Sequence, residues 1–258
     1  MPKARIQRIE EIASGTLAVH LEKPGDFQFE AGQFVEAALI DPPETDGEGD
    51  SRAFTLASAP YEAELVFATR LRDTAFKRVL RSLAPGRELD IAGPFGSFTL
   101  HRDGSRPAVF LAGGIGITPF RSMLLQATKD ALPHRLFLFY SNRRPEDAAF
   151  LEEFRELEKQ DSRFTLIATM TDMQHSSRPW TGDRGFVDKG MIERRAGPLT
   201  SPVHYIIGED RVERPACPVT SPIFYIAGPP GMVRAMQSML RTSDVGADCV
   251  RTEEFGGY

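Results

Sequence analysis

The feature that most restricts this fold is a change of pattern between His101 and Pro107. Before it, β-rich stretches follow one another closely: Leu17–Leu21, Gln33–Leu39, Arg52–Leu56 and Glu64–Thr69. Short, closely spaced strands of this kind predict an antiparallel β-barrel. Residues 41–51, DPPETDGEGDS, have nothing to pack a core with and read as an exposed loop. One helix interrupts this half. Phe76, Val79, Leu80 and Leu83 share a face, Lys77, Arg78 and Arg81 take the other, and Pro85-Gly86 ends it. After Pro107 the chain alternates strand, glycine turn and helix, which predicts a parallel sheet. Its strands are expected at Ala108–Ala112, Arg135–Tyr140, Phe164–Ala168 and Ile223–Ala227, with helices near Pro119–Ala127 and Glu146–Lys159. The expected organisation is a barrel with one capping helix over residues 1–101 and an α/β domain over 107–258.

Composition narrows the function. The longest apolar run, Ala108–Ile117, is about half of what a membrane-spanning helix needs. The first fifteen residues mix charges of both signs and have no secretory apolar core, which points to the cytoplasm. Cys217 and Cys249 are too few for a zinc site or a cysteine-ligated iron–sulfur cluster. The histidines, at 20, 101, 134, 175 and 204, show no metal-ligand spacing and read as incidental, so no metal is expected. A net charge of -5 argues against nucleic acid as a partner.

One repeat is present. Glu193–Gly208 aligns on Glu213–Gly228 with ten of sixteen residues identical. A single pair of this length is a local duplication rather than a solenoid. The second copy is expected to supply the sheet strand, because it runs into Gly228-Pro-Pro-Gly231 and a helix bearing Met232, Val233, Met236, Met239 and Leu240. The first copy is expected to form an extra strand or hairpin.

The strongest candidate for chemistry is Leu111-Ala-Gly-Gly-Ile-Gly-Ile-Thr-Pro119, directly after a buried strand. Glycines let a backbone approach a ligand, and Thr118-Pro119 reads as the cap and first turn of a helix whose N–H groups attract phosphate. Pro119 stands where the dinucleotide fingerprint has its last glycine, so an ordinary turn is an equal reading. Thr69–Phe76 ends a strand and opens the basic helix beside Arg70 and Arg72, a second phosphate candidate whose plain alternative is a capped helix.

Taken in order, Arg52-Ala-Phe-Thr55, Gly93-Pro-Phe-Gly96, Gly113-Gly-Ile-Gly-Ile-Thr-Pro119, Tyr225-Ile-Ala-Gly-Pro-Pro-Gly-Met232 and Glu253-Glu-Phe-Gly-Gly-Tyr258 resemble the ferredoxin–NAD(P) reductase family of flavoproteins. The resemblance implies a flavin-binding barrel followed by a nicotinamide-nucleotide domain, with FAD favoured over FMN. It places Arg52 and Ala53 at the flavin phosphate and Thr55 near flavin N5. Phe54, where the family usually has tyrosine, keeps an apolar contact without the hydroxyl. Backbone N–H groups around Asp73, Thr74, Ala75 and Phe76, with Arg70, would meet the flavin pyrophosphate; Gly113, Gly114, Gly116, Thr118, Gly228 and Pro229 would meet the nicotinamide nucleotide. Ala227 replaces the cysteine that many members carry. Glu253 and Phe255 resemble the acidic and aromatic pair near the flavin, and Tyr258 is a candidate ring cover.

Coenzyme choice is a question of charge: a 2′-phosphate wants arginine, a free 2′-hydroxyl accepts a carboxylate. Arg143 offers the first and Asp172 the second; the position of Asp172 resembles that of an aspartate in NADH-using relatives, which favours NADH. The resemblance implies an enzyme that takes hydride from NAD(P)H onto FAD and passes single electrons to a ferredoxin, flavodoxin or oxygenase component. Lys77, Arg78, Arg81 and Arg87 form a candidate docking face or simply a solvated helix face. The alternatives are a non-catalytic flavin- or nucleotide-binding sensor or electron-transfer subunit, and a free flavin or ferric reductase. The sequence leaves the oligomeric state open.

Overall fold

A computed structural model describes residues 2–199, 206–208, 211–213 and 221–256, with side chains for 2–199 and 221–256. The first half folds as β1 (Lys3–Ala13), β2 (Thr16–Glu22), β3 (Phe34–Leu39), β4 (Ser51–Thr55), β5 (Glu64–Arg70), α1 (Ala75–Ser82) and β6 (Glu88–Phe95). The six strands pair antiparallel in the order β4-β3-β6-β1-β2-β5. A bridge between Leu56 and Phe67 joins the two ends of that order and closes the sheet into the expected barrel. Val19, Leu21, Val35, Phe54, Phe67 and Ile91 fill it, and α1 seals it with Phe76, Val79 and Leu80. β1 left no alternating signal, because only Ala4 and Ile6 of its eleven residues are fully buried.

The second half contains β7 (Ala108–Gly113), α2 (Thr118–Lys129), β8 (Leu136–Asn142), α3 (Leu151–Gln160), β9 (Phe164–Met170), β10 (Asp183–Arg184), α4 (Lys189–Ala196), β11 (Ile206–Gly208), β12 (Arg211–Glu213), β13 (Ile223–Gly228), α5 (Pro230–Thr242) and β14 (Val250–Glu254). β10-β9-β8-β7-β13-β14 form one sheet in which every pairing is parallel. Helices cover both faces, so β7 and β13 are buried at every residue, as parallel strands require. The second copy of the repeat supplies β13; the first, expected to be a strand or hairpin throughout, instead begins as the last turn of α4, and only its end, Ile206–Gly208, pairs antiparallel with Arg211–Glu213 as a small hairpin, while residues 200–205 lie outside the described residues.

Two expectations need correction. The helix expected over Glu146–Lys159 begins only at Leu151. Arg144 forks onto the Asp147 carboxylate at 2.9 Å, the Tyr140 hydroxyl donates to the Ala149 carbonyl, and Phe150 adopts φ 60, so residues 145–150 are fixed in a separate turn. Nor are His101 and His134 incidental: both are buried, their rings are 4.8 Å apart, and His134 Nε2 lies 2.9 Å from the His101 carbonyl. Burial holds His101 neutral, pushing its pKa down to about 4.

The two sheets are fastened together by a buried cation. Arg121 on α2 donates to the Ala57 carbonyl at 2.7 Å and pairs with Glu62 from the barrel side and Glu153 on α3. Beside it the Ser122 hydroxyl donates to the Ser58 carbonyl at 2.6 Å. A charge this deep is tolerable only when paired and hydrogen-bonded, which fixes how barrel and α/β sheet meet.

Candidate active site

A cavity of about 280 Å³ opens on the barrel wall against α1. Strand β4 supplies Arg52, Ala53, Phe54 and Thr55, β5 supplies Thr69 and Arg70, and Arg72, Thr74 and Lys77 follow; Ile115 and Phe255 close it from the α/β side. Phe54 turns mainly into the barrel core, stacked on Phe67 with ring centres 4.3 Å apart. The Arg52 guanidinium lies 5.2 Å above the Phe76 ring. Phe76 itself is core, and Asp73 points outward to pair with Arg78, so neither side chain faces the cavity. Thr74 caps α1 by accepting from the Lys77 N–H, and the Ala75 N–H donates to Asp46 at 2.8 Å.

Lys77 corrects the docking-face expectation. It lines the cavity, and burial together with Arg72 and Arg52 lowers its pKa to about 8. Arg78 is occupied by Glu44, at 2.6 and 3.0 Å, and by Asp73. Of the four cations on the expected face, Lys77 thus turns inward, Arg78 is neutralised, and Arg81 and Arg87 are exposed. Lys77 lines the cavity with Arg52, Arg70 and Arg72, a placement that its helical spacing concealed.

The carboxyl of Glu253, on β14 in register with Ala227, has Thr55 as its polar neighbour. Burial pushes its pKa up to about 7, and its Oε2 is buried without a hydrogen-bond partner among the described residues. A neutral carboxylic acid beside a hydroxyl can donate or accept a proton near physiological pH.

A second cavity, about 590 Å³, lies at the carboxyl ends of β7, β8 and β13, where the chain reverses its direction of travel across the sheet. Such switch points are where open α/β sheets bind ligands. Gly113, Gly114, Ser141, Asn142, Arg143, Thr171 and Pro229 line it, and Arg70 and Arg72 belong to both cavities. The Asn142 amide, buried on this wall, has no well-formed hydrogen bond among the described residues. Of the glycines, Gly114, at φ 52, lines the groove. Gly116 instead permits packing: a Cβ there would stand 2.6 Å from the Gly228 nitrogen and closer still to the Ala227 carbonyl. Gly228 likewise abuts the Gly113 backbone, 3.2 Å from where its own Cβ would be. Thr118 does not cap: it is the first residue of α2, 1% exposed, and its hydroxyl turns back to the Ile115 carbonyl. A turn of 3-10 helix over Gly114–Ile117 takes the expected cap's place.

Arg143 and Asp172, read as opposing signals, form an ion pair at 3.1 Å. A hydrogen bond from His175 at 2.6 Å, together with Arg143, holds the Asp172 carboxyl below its ordinary range. Phe186, 80% exposed on the groove's edge, was missed by sequence reasoning, since an exposed aromatic is invisible to periodicity. Tyr258 lies outside the described residues. Among the described residues, no helix is long and apolar enough to cross a membrane and no group of three metal-ligating side chains converges.

The family model for the oxidoreductase NAD-binding domain matches residues 110–238. Ferredoxin–NADP reductase B of Sorangium cellulosum is 32% identical over 192 residues, covering 72% of this chain and 76% of that protein. The phenol hydroxylase P5 protein of Acinetobacter pittii is 28% identical over 202 residues, covering 76% of this chain but 55% of its own length. The chain thus spans about half the length of that relative. In three dimensions it is similar to a ferredoxin NADP+ reductase from Neisseria gonorrhoeae with bound FAD and NADP, at a TM-score of 0.72 and 19% identity, covering 98% of each chain.

Proposed function

The chain belongs to the ferredoxin–NADP reductase-like family of oxidoreductases, and from that membership we propose that it takes hydride from NAD(P)H onto FAD and passes single electrons to a separate protein acceptor. The observation that carries this reading is the pair of cavities, one on the barrel and one on the parallel sheet, sharing Arg70 and Arg72 as a common wall. We take residues 1–101 as the flavin-binding unit and 107–258 as the nucleotide-binding unit. The residues present fit the two groups. The barrel cavity offers Arg52, Arg72 and Lys77 to a flavin's phosphates, and the sheet cavity offers an unpartnered Asn142 amide to the coenzyme.

The bound flavin supplies the redox chemistry, accepting two electrons together and releasing them one at a time. The chain supplies orientation and field. Arg70 and Arg72 attract phosphates on both sides of the shared wall, bringing the two cofactors to one junction. Ile115 and Phe255 close that junction with apolar surface and exclude water. Glu253, its pKa pushed up to about 7 by burial, can hold or release a proton near neutral pH beside Thr55. On the groove wall, Arg143 is engaged by the Asp172 carboxylate and so is withheld from a 2′-phosphate, which favours NADH. The acceptor we propose is a ferredoxin, flavodoxin or oxygenase component, since relatives include a phenol hydroxylase component and a terephthalate dioxygenase reductase.

Turnover tests the catalytic reading. FAD-reconstituted protein supplied with NADH and ferricyanide is expected to reduce many equivalents per chain. Flavin-loaded protein that reduces none would instead be a non-catalytic binding subunit.

A further inference from the structure

The acidic loop of residues 41–51 is exposed, as expected, yet its carboxylates are tied to the groups that a flavin phosphate needs. Asp46 Oδ2 accepts the Ala75 N–H at the start of α1 at 2.8 Å, and its Oδ1 is 3.6 Å from the Arg52 guanidinium. Glu48 pairs with the same guanidinium at 2.7 Å, while the carbonyls of Glu48 and Gly49 accept from its other nitrogen at 2.9 and 3.2 Å. Asp46 also accepts the Glu48 N–H at 3.0 Å, which folds the loop tip over the cavity, and Glu48 lines that cavity. Hydrogen bonds from the Ala75 and Glu48 N–H groups hold the Asp46 carboxyl below its ordinary range, so it stays anionic. One helix-start N–H and one arginine are thus shared between two carboxylates, as they would be by two oxygens of a phosphate.

Resting on the reading of this cavity as the flavin site, we propose that the Asp46–Glu48 loop is an internal phosphate surrogate that competes with the flavin's phosphates for Ala75 and Arg52. For FAD to engage Arg52 and the start of α1, the loop has to leave them, and like charge opposes any arrangement in which both remain. The consequence is a flavin held less tightly than the cradle allows, and one that exchanges with solution. Riboflavin, which has no phosphate, does not meet this competition.

The test is a titration of apoprotein with FAD and with riboflavin, followed by flavin fluorescence, in the wild type and in the Asp46→Asn/Glu48→Gln variant. Asn and Gln preserve size and remove both charges, and Asn keeps one of the two oxygens that accept the Ala75 and Glu48 N–H groups. The expected result is FAD binding at least tenfold tighter in the variant, with slower FAD release and riboflavin affinity within twofold of the wild type. FAD affinity that is unchanged or weaker, with riboflavin unchanged, would overturn the proposal and make the loop part of the cradle. Glu48→Gln alone, expected to give about threefold, guards against misfolding of the double variant. If folded wild-type protein binds neither flavin, the flavin reading itself fails and this proposal fails with it.

Discussion

Glu253 shows how far a residue's chemistry depends on where the fold puts it. Its position near the C-terminus gives no hint of burial, and only the family resemblance marked it; the structure adds its burial beside Thr55, which pushes its pKa up to about 7. Because that value lies above the ordinary carboxyl value of 4.5, the native state keeps the proton longer than the unfolded chain does. This group therefore lowers stability as pH rises from about 4.5 to about 7, and above that range the penalty is fully present. Glu253→Gln is expected to flatten the stability profile across that window. In a rate profile for flavin reduction or reoxidation it should also remove an inflection near pH 7. Asp172 gives a second test at this scale. Asp172→Asn releases Arg143 and removes the negative charge, so the ratio of kcat/KM for NADPH over NADH should rise at least tenfold, roughly 1.4 kcal/mol. Purified variant and wild type compared on both coenzymes settle it, and an unmoved ratio would place coenzyme choice elsewhere. Opposing signals at Arg143 and Asp172 were legible in the sequence; that they neutralise each other was not, because a contact between residues 29 apart carries no periodicity.

At the level of elements, the parallel strands were the most legible. Ala108–Ala112 and Ile223–Ala227 are apolar runs, and each lies within a strand that gains only the following glycine. β1 and β6 were harder, since exposed charge on one and Gly93-Pro94 in the other hide their alternation. In the glycine turn, the sequence identified the element correctly but not the work of each residue. Its glycines were read as facing a ligand, whereas Gly116 faces β13. Gly116→Ala must push a methyl into the Ala227–Gly228 backbone, a site with no flexible side chain to yield. It should cost about 2 kcal/mol of stability, in the range typical of overpacking, and displace the ends of β7 and β13. Denaturant unfolding measures that loss, and an alanine tolerated without cost would show that the turn can relax. In α1 the polar face was read as either a docking face or a solvated one, whereas Lys77 on that face lines the cavity.

For the molecule as a whole, the change of pattern after His101 located the junction of two sheets, but nothing in the sequence revealed what joins them. Arg121 sits in a helix whose apolar residues dominate, and its partners, Glu62 and Glu153, come from distant elements. Arg121→Met leaves two carboxylates facing each other without their cation. Breaking a buried pair in this way costs about 3 kcal/mol or more. The variant should melt at a lower temperature and, if the junction aligns the two cavities, reduce flavin more slowly at saturating NADH. Wild-type kcat with lowered stability would confine Arg121 to a structural role. The central claim is that two cavities sharing Arg70 and Arg72 bring a nicotinamide and a flavin together. Its most direct test is the visible spectrum of the FAD-reconstituted protein, recorded without oxygen before and after one equivalent of NADH. The expected result is bound-flavin absorption that bleaches within the mixing time of a bench experiment. A flavin spectrum that NADH and NADPH both leave unchanged would contradict it.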